Sequence, residues 1–343
     1  MIQPAFGSAA ERPPVPAPAG ALYESTLPVF GVPVRLRSNE PEPIAAFERS
    51  LGRWRVLEGS ELLSEVRVDG ALWVAPGGEG SDRPIPVTHA VQEHGRVTIS
   101  SPGSLVRSDS SARAFEGWVT PELLREDERF RYQVLEAAVL SVVTHLDRQP
   151  LHASAVVRDG TALLVSGPSG TGKSTLAYAA ARAGLQVLSE DTVFVQLRPR
   201  LRVWGMSQAL NLSQDARRHF AELADAPLRT LPTGKQKISV GLAALGAEAS
   251  PPFVERAGIC IAHRAPGSQV TAEPIDGAVL EEFLRRGEPG FHLFDHARGE
   301  LAGALAPGGA WRLTLSDDPD AAIPVLHRLL DQVEERLAAV SSP

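Results

Sequence analysis

The eight-residue run GPSGTGKS, Gly167 to Ser174, constrains this chain more than any other feature. It fits G-x-x-x-x-G-K-[ST] at every fixed position, and its flanks fit as well. ALLVSG before it reads as a short buried strand, while STLAYAAARAG after it reads as an alanine-rich helix that stops at Gly184 as its C-cap. A phosphate chain on such a turn lies at a helix N-terminus, where glycine permits the unusual dihedrals and close backbone approach that surround it with N–H groups. Gly167, Pro168, Ser169, Gly170, Thr171, Gly172, Lys173, Ser174 and Thr175 are therefore expected to hold nucleotide phosphates, with Lys173 as a point charge and Ser174 as a ligand of Mg²⁺. A plain glycine turn capping an ordinary helix leaves the matching flanks unexplained.

Composition narrows the partners. The 343-residue chain is long enough for two domains, and its 43% hydrophobic content can fill their cores. A formal charge of −7 with a pI near 5.8, and no basic stripe, argues against a nucleic-acid surface. No apolar run approaches the roughly 20 residues that span a bilayer, so no membrane partner is expected. Cys260 is the single cysteine. It excludes a disulfide framework, makes a reducing cytoplasm the simplest location, and in AGICIA reads as a small core residue.

Only three of the 34 basic residues are lysine: Lys173, Lys235 and Lys237. In a chain that otherwise uses arginine, retained lysines mark places where a compact, flexible ammonium is hard to replace. TGKQK, Thr233 to Lys237, is thus a candidate second phosphate-contacting segment; two chance lysines on a solvated turn are the competing reading.

Residues 1–22, rich in proline and alanine and without a signal-peptide pattern, are expected to form a disordered leader. Residues 23–118 read as a small α+β module, with a strand or hairpin over Leu27–Ser38 and an amphipathic helix over Glu42–Gly52. Glu93 and His94 have no ligand spacing there. Residues 119–343 form the nucleotide-binding part, opening with a helix from Pro121 to about Asp147 that has Thr120 as N-cap. Its stripe of Leu135, Val139, Val142, Val143 and Leu146 is expected to pack on the nucleotide-domain sheet, and His145 on it reads as structural. Arg158-Asp159-Gly160 then signals a hairpin leading into the phosphate loop. This predicts a mixed, largely antiparallel sheet in place of a parallel βαβ series. Farther on, a helix capped by Ser213 and an amphipathic C-terminal helix are expected.

Glu190 and Asp191 end a strand expected to lie beside the one that feeds the loop. One carboxylate there can hold Mg²⁺ while the other takes the proton of an attacking hydroxyl. Successive side chains diverge, so the two can divide those roles. His152 opens the hairpin and either faces the phosphates or is a satisfied core or surface residue. His263, His292 and His296 lack such a context, and no HxH or HExxH pattern occurs.

A strand histidine (His152), then GPSGTGKS, then an acidic pair (Glu190, Asp191) resembles the catalytic domain of HPr kinase/phosphorylase. That family shares its nucleotide-domain design with the ATP-dependent phosphoenolpyruvate carboxykinases. The similarity covers about 45 residues, Leu151 to Val195, and more loosely extends through Lys237. It implies Glu190 as catalytic base, Asp191 as a metal-associated aspartate, Lys173 and Ser174 as phosphate and Mg²⁺ contacts, and Lys235 as a downstream basic contact. It also implies assembly, hexameric in form, which nothing in the residues here requires. Two departures accompany it. The usual acidic pair is Asp-Asp, and Glu190 is one methylene longer, enough to alter base geometry and acceptor preference. The stretch Arg202-Val203-Trp204-Gly205 lacks a signature glutamate, which leaves phosphorylase activity, and HPr as substrate, out of the expectation.

The reading is a divergent member: an ATP-dependent, Mg²⁺-requiring serine-type kinase acting on a hydroxyl of a peptide, protein or small molecule. The alternative from another class is a nucleotide-binding regulatory or scaffold protein without phosphotransfer. Carboxykinase chemistry is disfavoured by the short chain and the lack of a second metal cluster.

Overall fold

The computed structural model describes residues 22–75, 85–92, 95–231, 234–245, 250–286 and 299–341. The leader to residue 21, Glu93, His94, Thr233, His292 and His296 lie outside the described residues. The alternating pattern after Tyr23 folds into β1 (Tyr23–Val29), β2 (Val32–Ser38), β3 (Val68–Val74), β4 (Thr88–Gln92), β5 (Arg96–Ser101), β6 (Ser104–Asp109) and β7 (Ala114–Val119). They form one seven-stranded sheet in the order β1-β2-β3-β7-β6-β5-β4, in which β2, β3 and β7 run parallel. Every second residue of β2 is buried, as a strand with one core face requires. Helix α1 (Pro41–Leu51) adds Phe47 and Leu51 to that core.

Phe30 and Gly31 turn β1 into β2 with φ of 48° and 75°, the twist that a two-residue hairpin needs. Phe30 is fully buried and stacks on Phe194 with ring centroids 4.3 Å apart. Its carbonyl accepts two hydrogen bonds from the Arg148 guanidinium, at 3.1 and 3.2 Å. The core of the first sheet therefore continues into the second through Phe194 and Trp204.

After β7 the helix expected over residues 121–147 is broken. Thr120 does cap it, its hydroxyl accepting from the Leu123 N–H at 3.4 Å. Helix α2 (Pro121–Arg125) then ends where Glu126 leaves the helical range at φ −83° and ψ 62°. Helix α3 (Asp127–Arg129), a π-helical stretch (Phe130–Glu136) and α4 (Ala137–Val143) follow. Leu135, Val139, Val142 and Val143 pack into the seven-stranded unit's core, not onto the sheet expected to bind nucleotide. Ser141 makes the same link, its Oγ lying 2.6 Å from Ser108 Oγ of β6. His145 is structural, with Nδ1 at 2.9 Å from the Ser141 carbonyl.

The remaining strands, in chain order, are β8 (Arg148–Arg158), β9 (Thr161–Ser166), β10 (Gln186–Ser189), β11 (Thr192–Gln196), β12 (Arg202–Gly205), β13 (Ala209–Leu212), β14 (Leu228–Thr230), β15 (Gln236–Gly241), β16 (Phe253–Val254), β17 (Arg256–Arg264), β18 (Thr271–Pro274) and β19 (Ala310–Leu315). A nine-stranded sheet runs β16-β12-β11-β8-β9-β17-β19-β18, with β10 also on β8. Only β9, β17 and β19 are mutually parallel; the other pairs are antiparallel, as the hairpin signal implies. Asp159 and Gly160 make the predicted turn between β8 and β9, with φ of 50° and 73°. Helices α5 (Lys173–Arg182) and α8 (Ile323–Ser341) cover one face, α6 (Gly277–Arg286) and α7 (Gly299–Leu305) the other. Cys260 is fully buried on the first of these faces. Strands β13, β15 and β14 form a separate three-stranded sheet. The helix expected after Ser213 is instead two short 3-10 turns, Gln214–Arg218 and Ala221–Leu223, and Ser213 makes no side-chain cap. Among the described residues no helix is long and apolar enough to cross a membrane.

Candidate active site

The run from β9 to α5 adopts the geometry that its glycines foreshadow. Gly167, at φ 157°, lies so close to β17 that a Cβ there would fall 2.5 Å from the Ala262 carbonyl oxygen. Gly170 and Gly172 take φ of 85° and 100°, which side chains disfavour. Helix α5 starts at Lys173 and ends in a Schellman motif, with Gly184 N–H on the Ala181 carbonyl and Leu185 N–H on the Ala180 carbonyl. The Lys173 ammonium is buried under the loop, donating to the Gly167 carbonyl at 2.5 Å and the Pro168 carbonyl at 3.2 Å. Thr171 Oγ1 also donates to the Pro168 carbonyl.

The acidic pair reaches this loop by a route other than the one expected. Strand β10 does not neighbour β9; it pairs with β8, one strand away, and β11 continues along the same edge of β8. Alternation along a strand fixes which face a side chain takes but not which strand lies next to it, so sequence left the neighbour open. The register on β8 shifts within β10, between Val187 and Ser189, and Glu190-Asp191 form the corner that follows. His152 stands opposite Thr192, and its Nδ1 lies 3.4 Å from Asp191 Oδ1. One strand thus carries the histidine, abuts the loop's strand and supports the acidic corner. Ser166 Oγ, at the end of β9, fastens this arrangement by donating to the His152 carbonyl at 2.8 Å.

A cavity of about 500 Å³ opens here. Ser169, Gly170, Thr171 and Gly172 form its floor with Lys173, Ser174 and Thr175; Gly167 and Pro168 lie beneath, bonded to Lys173. Glu190, Asp191 and His152 form one wall. Lys235 and Lys237, on and beside β15, line it too, so all three lysines of the chain meet at a single cavity. Arg264, also in the lining, pairs with Asp317 at 3.1 Å.

Glu190 is 5% exposed. Burial pushes its carboxyl up to about 7, with the Asp191 charge acting in the same sense; the Asn211 side chain and backbone, and then the Ser174 hydroxyl, pull against it. Asn211 Nδ2 donates to Oε1 at 2.7 Å. Oε2 is buried, with no hydrogen-bond partner among the described residues. Asp191, by contrast, has a side chain 57% exposed. The corner therefore holds one carboxylate that can exchange a proton near neutrality and one that faces solvent.

Sequence reasoning missed Asn211, Ser207 and the Arg264–Asp317 pair. Asn211 left a signal: an amide inside the strand-like ALNL, where asparagine is normally depleted. Ser207 left none, since its hydroxyl acts on the Glu190 backbone N–H, at 3.1 Å, from 17 residues away. Arg202, in the stretch that departs from the family signature, is directed elsewhere and pairs with Glu255 at 3.0 Å.

Ser174 and Asp191 are oxygen donors of the kind a hard cation takes. No group of three or more His, Cys, Asp or Glu able to hold a metal occurs among the described residues. A Mg²⁺ ion here would draw the rest of its shell from phosphate oxygens and water, the usual arrangement for that ion, so the residues fit it.

No protein-family model matches the chain, and no curated protein matches it. Among solved structures it aligns with the Hpr(Ser) kinase/phosphatase from Coxiella burnetii at 11% identity and a TM-score of 0.29. The alignment covers 57% of this chain and 99% of that one. A superposition that loose assigns no family.

Proposed function

We propose that this chain is an ATP-dependent, Mg²⁺-requiring kinase that transfers the γ-phosphoryl group to a serine-type hydroxyl. The observation carrying the reading is Glu190: a buried carboxyl held near 7, with one oxygen unpartnered among the described residues, in the wall of a cavity floored by a phosphate-type loop and lined by all three lysines. Phosphoryl transfer depends mainly on positioning and on charge stabilisation, and these residues supply both.

Loop amides and Lys173 bind the phosphates; Lys173 exchanges its bonds to the Gly167 and Pro168 carbonyls for phosphate oxygens. Ser174 and Asp191 hold Mg²⁺, which when bound neutralises charge on the phosphate oxygens. Glu190 takes the acceptor's hydroxyl proton as the acceptor oxygen bonds to the γ-phosphorus and the bond to the β-phosphate oxygen breaks, leaving ADP. His152 orients Asp191, and Lys235 and Lys237 balance the charge that spreads over the transferring group.

Glu190→Gln keeps the shape and removes the base. Transfer should fall by about 10²- to 10⁴-fold while ATP affinity is retained. The measurement is incorporation of label from γ-labelled ATP into a mixture of serine-containing peptides and into free serine, alongside binding of a fluorescent ATP analogue. Equal loss of binding and transfer would sink the assignment of Glu190. Wild-type binding without any labelled acceptor would favour a nucleotide sensor.

A further inference from the structure

A cation of the seven-stranded unit reaches the backbone that flanks the acidic corner. Arg53 lies on the 3-10 turn Gly52–Leu57 after α1. Its Nη1 donates to the Ser207 carbonyl at 2.6 Å and to the Leu188 carbonyl at 3.5 Å. Leu188 precedes Glu190 by two residues, and its carbonyl is hemmed in from another side by Gly205, where a Cβ would fall 2.0 Å from it. The Ser207 hydroxyl accepts the Glu190 backbone N–H and sits 2.9 Å from Ser189 Oγ. Ser189 Oγ donates in turn to the Thr192 carbonyl at 2.5 Å, closing a brace around Glu190 and Asp191.

A parallel strut runs from Gln208 Nε2 to the carbonyls of Arg49 and Ser50, at 3.1 and 3.3 Å. Burial lowers the Arg53 pKa to about 10, so the guanidinium bears a desolvation cost, and its hydrogen bonds among the described residues go to backbone carbonyls. Apolar packing would not incur that cost. A guanidinium nitrogen with two N–H groups, by contrast, can tie the β10 carbonyl of Leu188 to the carbonyl of Ser207, between β12 and β13, in one geometry.

We propose that Arg53 is a positioning residue: by bonding the Ser207 and Leu188 carbonyls it fixes the hydroxyl and the strand that set the Glu190 carboxylate against the cavity. The N-terminal unit then determines the geometry of the transfer step. The claim rests on the reading of Glu190 as the base, but its structural part can be tested without turnover.

The test uses the full chain with Arg53→Met, Arg53→Lys and Ser207→Ala. Amide hydrogen exchange is followed over residues 186–192, together with affinity for a fluorescent ATP analogue and kcat and KM for Mg²⁺-ATP with the serine-peptide mixture. Losing a hydrogen bond from a charged donor should speed exchange at the corner about tenfold and lower kcat about tenfold, with ATP affinity held within about twofold. Arg53→Lys should recover part of both, since lysine can still reach the Ser207 carbonyl. Ser207→Ala, which keeps that carbonyl but loses the hydroxyl, should reproduce the Arg53→Met effects.

Wild-type exchange at the corner in Arg53→Met, or acceleration spread evenly over the nine-stranded sheet, overturns the proposal. If Arg53→Met does not fold, Ser207→Ala and Arg53→Lys decide it, and wild-type exchange in Ser207→Ala overturns it. A wild-type protein that never transfers phosphate refutes the kinase reading; the exchange data still judge whether Arg53 braces the corner.

Discussion

Among the described residues each half of the molecule buries one glutamate, and the two behave alike until their surroundings are compared. Glu136, at the end of the π-helical stretch, is 6% exposed; Glu190 is 5% exposed. Burial carries both carboxyls up to about 7, opposed at Glu136 by the Ser50 hydroxyl and then the Arg131 charge. Glu136 is buried in the same stretch as Phe130, Val134 and Leu135 and does not line the cavity. Glu190 faces that cavity with an oxygen that has no partner among the described residues, and three ammonium groups line the same cavity. Burial sets how tightly a carboxyl holds its proton; access to a cavity decides whether that proton can be given and taken. A raised pKa alone would have nominated both residues.

The largest effect that separates them is on rate. If Glu190 is the base, kcat/KM, which reports the free enzyme, should rise with pH to a plateau above a midpoint near 7. At pH 5 it should be about a hundredfold below the plateau, because the ionised fraction falls tenfold per pH unit. Glu136→Gln should keep that midpoint. A midpoint that moves with Glu136, or a flat profile in the wild type, breaks the distinction.

Stability should separate them the other way. A carboxyl raised in the fold from 4.5 to about 7 favours folding when protonated, so its contribution is full below 4.5 and is lost as pH rises to 7. Above 7, Glu136 is a buried charge, whereas an amide at the same position stays neutral. Glu136→Gln is expected to gain roughly 2 kcal/mol at pH 8 and little at pH 4, read from thermal unfolding at both. Destabilisation at pH 8 would mean that the carboxylate's contacts with Ser50 and Arg131 outweigh its burial.

How far the sequence foretold this arrangement depends on the range over which each constraint acts. The shape of the glycine loop was legible because Gly167, Gly170 and Gly172 meet local backbone demands, and the β8–β9 turn because Asp159-Gly160 supplies its own dihedrals. The lysines were legible for a chemical reason: a chain that otherwise uses arginine retained ammonium groups at one cavity. Strand order was not, since periodicity reveals a buried face but no neighbour, and β10 was expected one strand away from its actual place. The apolar stripe of residues 135–143 was recognised, but its partner sheet was misassigned for the same reason. The brace from Arg53 through Ser207 to Glu190 joins residues more than 130 positions apart and leaves no local signature.

The smallest expected effect tests whether Glu190 is tuned or merely buried. Asn211 comes from β13 of the three-stranded sheet, whose neighbour β15 carries Lys237, so one sheet delivers both the amide on Oε1 and an ammonium to the cavity. The amide's hydrogen bond favours the ionised carboxylate and is the largest influence opposing burial. Asn211→Ala removes it while leaving the cavity's lysines in place. Water entering the space replaces part of the lost bond, so the midpoint of kcat/KM should move upward by only about one pH unit, with the plateau rate nearly unchanged. At Glu136 the groups opposing burial, Ser50 and Arg131, belong to its own unit, so the same substitution should leave its titration untouched. A downward shift in Asn211→Ala would mean that water solvates the carboxylate better than the amide does, and that burial is not what holds Glu190 near neutrality.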